Sequence, residues 1–143
     1  MALAGGLAVD RVESMISAVH ALMYSDDAPA TRAFFRDVLQ LPFVSDDENE
    51  GPDWLIFDAG PCEIAMHPTT GQHSGEAFRA PRHHQLSLMV EDAEATAATL
   101  RERGASILAG PVDMGFGIGM EVEVPGTDAI LIYQPKHATA YAR

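Results

Sequence analysis

A chain of 143 residues, 47% hydrophobic and 21% charged, is one domain's worth of globular polypeptide, which argues against a solenoid array, a fibrous chain or wholesale disorder. Nine Lys and Arg against 21 Asp and Glu give a formal net charge of -12, which repels phosphate backbones and anionic lipid and argues against nucleic-acid and membrane-surface partners. The single cysteine, Cys62, cannot close an internal disulfide; with no basic leader and no apolar run of spanning length, the chain reads as cytoplasmic.

Residues 1–14, apolar through Val9 and rich in small residues, read as an N-terminal extension. Residues 15–24 form an apolar run around His20, the pattern of a buried strand. Asp26 and Asp27 precede Ala28 and Pro29, an N-cap with proline in the first turn, which predicts a helix over 28–39. Three strands are predicted over 43–45, 53–58 and 62–67, separated by Gly-Pro turns at 51–52 and 60–61. The acidic run Asp46, Asp47, Glu48, Glu50 and Asp53 reads as a hairpin tip, and residues 69–81 read as a linker.

The same order then begins again: a strand over 84–90, an acid pair, a helix over 93–103 closed by Gly104, and strands over 106–109, 117–124 and 129–134. Asp27, Ala28, Ala30, Thr31, Ala33 and Arg36 fall without gaps on the identical Asp92, Ala93, Ala95, Thr96, Ala98 and Arg101, 65 residues on. The expected fold is α+β: one domain over 15–137, made of two βαβββ modules, 15–68 and 82–137, with a tail over 138–143. A lone module leaves one sheet face bare; two together make a curved eight-stranded mixed sheet, a cup with the helices on its outer face.

In the strand over 117–124, Gly115, Gly117 and Gly119 share a parity with Glu121 and Glu123, opposite the apolar Phe116, Ile118, Met120 and Val122. A face without side chains admits a ligand or another backbone, and the plainer reading is a solvent-facing edge. Cys62 lies among apolar neighbours and reads as an inert packed thiol, His83 and His84 as a solvated pair. Trp54 and Tyr133 are aromatics within reach of a pocket.

The stretches His20 to Asp27 with Ala33-Phe-Phe-Arg-Asp-Val-Leu, Gln85-Leu-Ser-Leu-Met-Val-Glu-Asp, and Val124-Pro-Gly-Thr-Asp followed by Ile132-Tyr-Gln-Pro make the chain resemble the vicinal oxygen chelate superfamily. That group holds glyoxalases, bleomycin-resistance proteins and extradiol dioxygenases, and the resemblance implies a glyoxalase-like fold and a homodimer. It also implies a divalent ion (Zn, Ni, Mn or Fe) bound by the first and last strands of each half. The first-strand positions fall on His20 and Gln85. The last-strand position of the first half falls on Glu63, with His67 on the same parity, although a different alignment puts Ile64 there. The last position is Leu131, which cannot ligate; Glu121 is the candidate replacement.

Two functions follow from the resemblance. One is a metal-dependent lyase or dioxygenase acting on a small molecule with adjacent oxygens, with His20, Glu63 and Gln85 as ligands and Glu63 as catalytic base. The other is a metal-free binding protein that sequesters a small molecule. His67, Trp54, Glu121, Leu131 and Tyr133 are pocket candidates in either case.

Overall fold

The computed structural model describes residue 15, residues 18–46 and residues 51–141. The expected 1–14 extension, and Asp47, Glu48 and Glu50 of the acidic run, lie outside the described residues.

Helix α1 (Ala28–Ala33) begins where the sequence places it, because the Asp27 carboxylate accepts the free Ala30 amide at 3.1 Å. It does not continue as an α-helix to Leu39. Phe34–Val38 widen into a π-helical turn, which brings the neighbouring rings of Phe34 and Phe35 into the core together. Strands β1 (Phe43–Asp46) and β2 (Gly51–Phe57) form an antiparallel hairpin.

The predicted linker instead carries a second hairpin, β3 (Thr70–His73) and β4 (Glu76–Arg79). Ser74 (φ 52°) and Gly75 (φ 79°) form its two-residue turn, the positive-φ geometry that matches strand twist. The strands predicted over 15–24 and 62–67 are absent from the described residues. A strand needs a ladder partner as well as apolar side chains. In the repeat these two segments would pair with each other, and neither is extended in register with a neighbour, so Val19 and Met66 stay 54% and 88% exposed.

The second half follows the expected order. Strand β5 (Ser87–Met89) leads to α2 (Ala93–Glu102), capped by Asp92 and closed by Gly104 at φ 85°. Strands β6 (Ile107–Asp113), β7 (Gly117–Val122) and β8 (Ile130–Pro135) complete a sheet of order β5-β8-β7-β6. Strand β5 runs parallel to β8 and the other pairs are antiparallel, as a βαβββ connection requires. In place of one eight-stranded cup the described residues form three sheets, two of them hairpins.

One face of the four-stranded sheet makes the core. Met120, Val122, Val124, Ile130 and Ile132 are buried against Ala97 and Leu100 of α2 and against Phe34 and Phe35. The halves are stitched where the two halves' conspicuous motifs meet: Asp26 N–H donates to the Gly126 carbonyl at 2.9 Å, and the Thr31 hydroxyl donates to the Pro125 carbonyl. Gly126 (φ 86°) is required there, since any side chain would strike Ser25 and Asp27. Among the described residues no helix is long and apolar enough to cross a membrane.

Candidate functional site

Strand alternation sends the other side chains of the sheet to the face away from α2. Cross-strand register sets them in rows: Ser87, Leu131 and Glu121 in one, Met89, Tyr133 and Gly119 in the next, with Gly117 opposite Pro135. On the glycine parity Gly115, Glu121 and Glu123 are exposed, as a solvent-facing reading expects, but the two glycines at the start of β7 are not. Gly117 and Gly119 are buried. A Cβ on Gly117 would come within 2.8 Å of the Tyr133 ring, and one on Gly119 within 2.7 Å of the Met114 sulfur and 3.0 Å of Leu131. The glycines are a floor on which Tyr133 and Met114 rest.

Phe116 stands edge-on to Tyr133, ring centroids 5.3 Å apart at 83°. The Tyr133 hydroxyl lies 2.9 Å from His137 Nε2, while His137 Nδ1 lies 2.8 Å from the Ala138 carbonyl. A carbonyl only accepts, so Nδ1 carries a proton, and in that tautomer Nε2 accepts from the phenol. Burial first, then the negative charges of Glu63 and of an ionised Tyr141, raise the Tyr133 phenol above its ordinary pKa of 10.0. It is a protonated donor throughout the neutral range.

Glu63 lies in the irregular segment between β2 and β3 and is half-buried. Its Oε2 accepts the Ala140 amide at 2.9 Å, and Oε1 stands 3.9 Å from His137 Nε2. The Tyr141 hydroxyl approaches the Met89 sulfur at 3.8 Å. Glu63, Tyr133, His137, Tyr141, Met89 and Phe116 thus make an aromatic and thioether surface with polar groups at one end.

Of the residues singled out from sequence, Glu63, Leu131, Tyr133 and Glu121 belong to this face or its rim. His20 and Gln85 are exposed in irregular segments, Gln85 two residues before β5. His67 leans on Phe78 of β4 at 5.4 Å, and Trp54 carries the Arg32 guanidinium 5.1 Å from its ring centroid. Cys62 is exposed rather than packed, because the segment around it forms no strand to bury it. His137, Tyr141, Met89 and Met114 were not singled out, and only the four-residue step from Tyr133 to His137 hints at one of them.

Among the described residues no three His, Cys, Asp or Glu side chains converge as a metal site would require, and Glu63 is already engaged by the C-terminal segment.

The fold is similar to that of TnmS3, an antibiotic binding protein from Streptomyces sp. CB03234, with 17% identity, a TM-score of 0.52, and coverage of 85% of this chain and 99% of that one. An integron cassette protein from the mobile metagenome of V. Cholerae is also similar, with 17% identity, a TM-score of 0.49, and coverage of 82% and 98%. No curated protein matches significantly in sequence. The model of the Glyoxalase/Bleomycin resistance protein/Dioxygenase superfamily matches residues 17–131, and the chain belongs to that superfamily.

Proposed function

We propose that the protein binds a small molecule on the glycine-floored face of the second-half sheet, without a metal ion. The observation that carries this reading is the double role of Glu63 and Tyr133. The residue best placed to ligate or to act as base is hydrogen-bonded to Ala140, and the adjoining phenol is a fixed donor beside an apolar floor. Phe116, Tyr133, Leu131 and the flexible thioethers of Met89 and Met114 suit a ligand with a flat or apolar body. Glu63 and Glu121 at its margin favour a neutral or cationic guest over an anionic one.

The reading includes the homodimer that the family resemblance implies. Val19, Leu22, Ile64 and Met66 are 54%, 59%, 68% and 88% exposed. Pairing these first-half segments with a second copy would bury them and complete an eight-stranded cup over the same face. Sedimentation equilibrium is expected to give a dimer.

The binding test is a fluorescence titration with Nile red, a neutral aromatic dye, on protein treated with EDTA. Saturable binding that weakens about tenfold or more in Tyr133→Ala supports the reading. Binding that appears only on adding Zn, Ni, Mn or Fe, and is lost in His20→Ala, favours the metal-dependent enzyme instead.

A further inference from the structure

We propose that residues 136–141 form a lid over this face and that Glu63 is its latch. The inference rests on the binding reading for what lies beneath the lid; the latch itself stands on geometry alone.

The segment begins where β8 ends and is pinned at that point. Lys136 N–H donates to the Phe116 carbonyl at 2.8 Å, and Lys136 Nζ donates to Asp113 Oδ2 at 2.8 Å. Asp113 is itself oriented by the Gly115 amide, 2.8 Å from Oδ1. That is the hinge, fixed to the turn between β6 and β7. The far end is held by the Ala140 amide on Glu63 Oε2 and by the Tyr141 hydroxyl beside Met89. Between hinge and latch, the His137 ring lies 5.8 Å from that of Tyr133 and accepts its hydroxyl.

What holds the lid is also what lets it move. His137, Ala138, Ala140 and Tyr141 are all exposed, so the segment is tied by solvent-accessible hydrogen bonds and not by apolar burial, the signature of a low-stability element. Releasing the Ala140 amide from Glu63 leaves that end held only by the 3.9 Å approach of His137 to Glu63 and the 3.8 Å approach of the Tyr141 hydroxyl to the Met89 sulfur. Because Glu63 projects from the first half while the hinge and the floor belong to the second, the latch also reports how the halves sit together. A guest on the floor meets the Tyr141 and His137 side chains from above, so these two residues discriminate among guests by size and by hydrogen bonding.

The test uses the full chain and reads amide hydrogen exchange and Nile red binding in wild type, Glu63→Ala and Glu63→Gln. In wild type the Ala140 amide is expected to be protected; Glu63→Ala should remove at least about tenfold of that protection. Glu63→Gln, which keeps an acceptor oxygen, should retain most of it. Unchanged Leu100 exchange in α2 certifies that each variant is folded. Nile red should enter and leave Glu63→Ala faster than wild type. Equal Ala140 protection in wild type and Glu63→Ala, or equal entry rates, overturns the lid. If Nile red binds no variant, the binding reading fails by itself, and the latch is then judged on Ala140 exchange alone.

Discussion

Asp27 and Asp92 cap α1 and α2 in the same way. Each carboxylate accepts the amide three residues on, Ala30 at 3.1 Å and Ala95 at 3.0 Å, and each carbonyl accepts the amide of a threonine four residues on, Thr31 and Thr96, both at 3.0 Å. The internal repeat is therefore a repeat of local structure as well as of letters. Asp27→Ala and Asp92→Ala should each cost about 1 kcal/mol of stability, measured by urea unfolding. Asp27→Ala should cost the more, because α1 is short and its Thr31 also bridges to Pro125.

Two glycines of the second-half sheet should respond unequally to alanine. Gly110 sits at φ 83°, with the backbone of Gly119 and Met120 against any added carbon, so Gly110→Ala should destabilise by about 1–3 kcal/mol. At Gly119 the obstructing atom is the movable Met114 sulfur. Gly119→Ala should therefore leave the unfolding free energy within about 1 kcal/mol of wild type and instead displace the Met114 methyl resonance.

The alkaline limb of stability should carry a Tyr133 contribution. Its folded pKa is raised above 10.0, chiefly by burial, so the unfolded chain gives up this proton first. The contribution is complete below the ordinary pKa and is lost as pH rises from about 10 through the raised folded value. Ultraviolet difference titration at the phenolate band should show one tyrosine ionising late, and Tyr133→Phe should abolish that late component. On the acid side the sign reverses. The hydrogen bond from Lys136, then the Gly115 amide, hold Asp113 below its ordinary 3.8, so its contribution is present above that value and lost as pH falls.

The second half was legible in the sequence because its strands find partners close by. Leu88 and Ile132 pair across a parallel ladder, Gly104 stops α2, and the alternation along β7 sends Met120 and Val122 to the core. In the first half the start of α1 and the β1–β2 hairpin were legible too, but the strands expected around His20 and Ile64 were not, because such apolar runs depend on a ladder neighbour that apolarity alone does not guarantee. The β3–β4 hairpin hid behind Thr70, Gly71 and Gln72, a composition shared by linkers, though Ser74-Gly75 was a usable turn signal. At the site, strand parity sets Leu131 and Tyr133 on one face of the sheet, the face of Gly119 and Glu121. It could not find His137, Tyr141 or the bond from Ala140 to Glu63, 77 residues apart, since such contacts are set by tertiary docking.

The most direct measurement of the central claim is a methyl-resolved titration of protein labelled at its seven methionines, with Nile red added in the presence of EDTA. Binding to the glycine-floored face should shift the Met89 and Met114 methyl resonances together, with one saturation curve, and leave core-buried Met120 nearly unmoved. Adding a divalent ion should change neither the curve nor the resonances. Shifts confined to other methionines, or shifts at Met89 and Met114 that require the ion, would contradict the account.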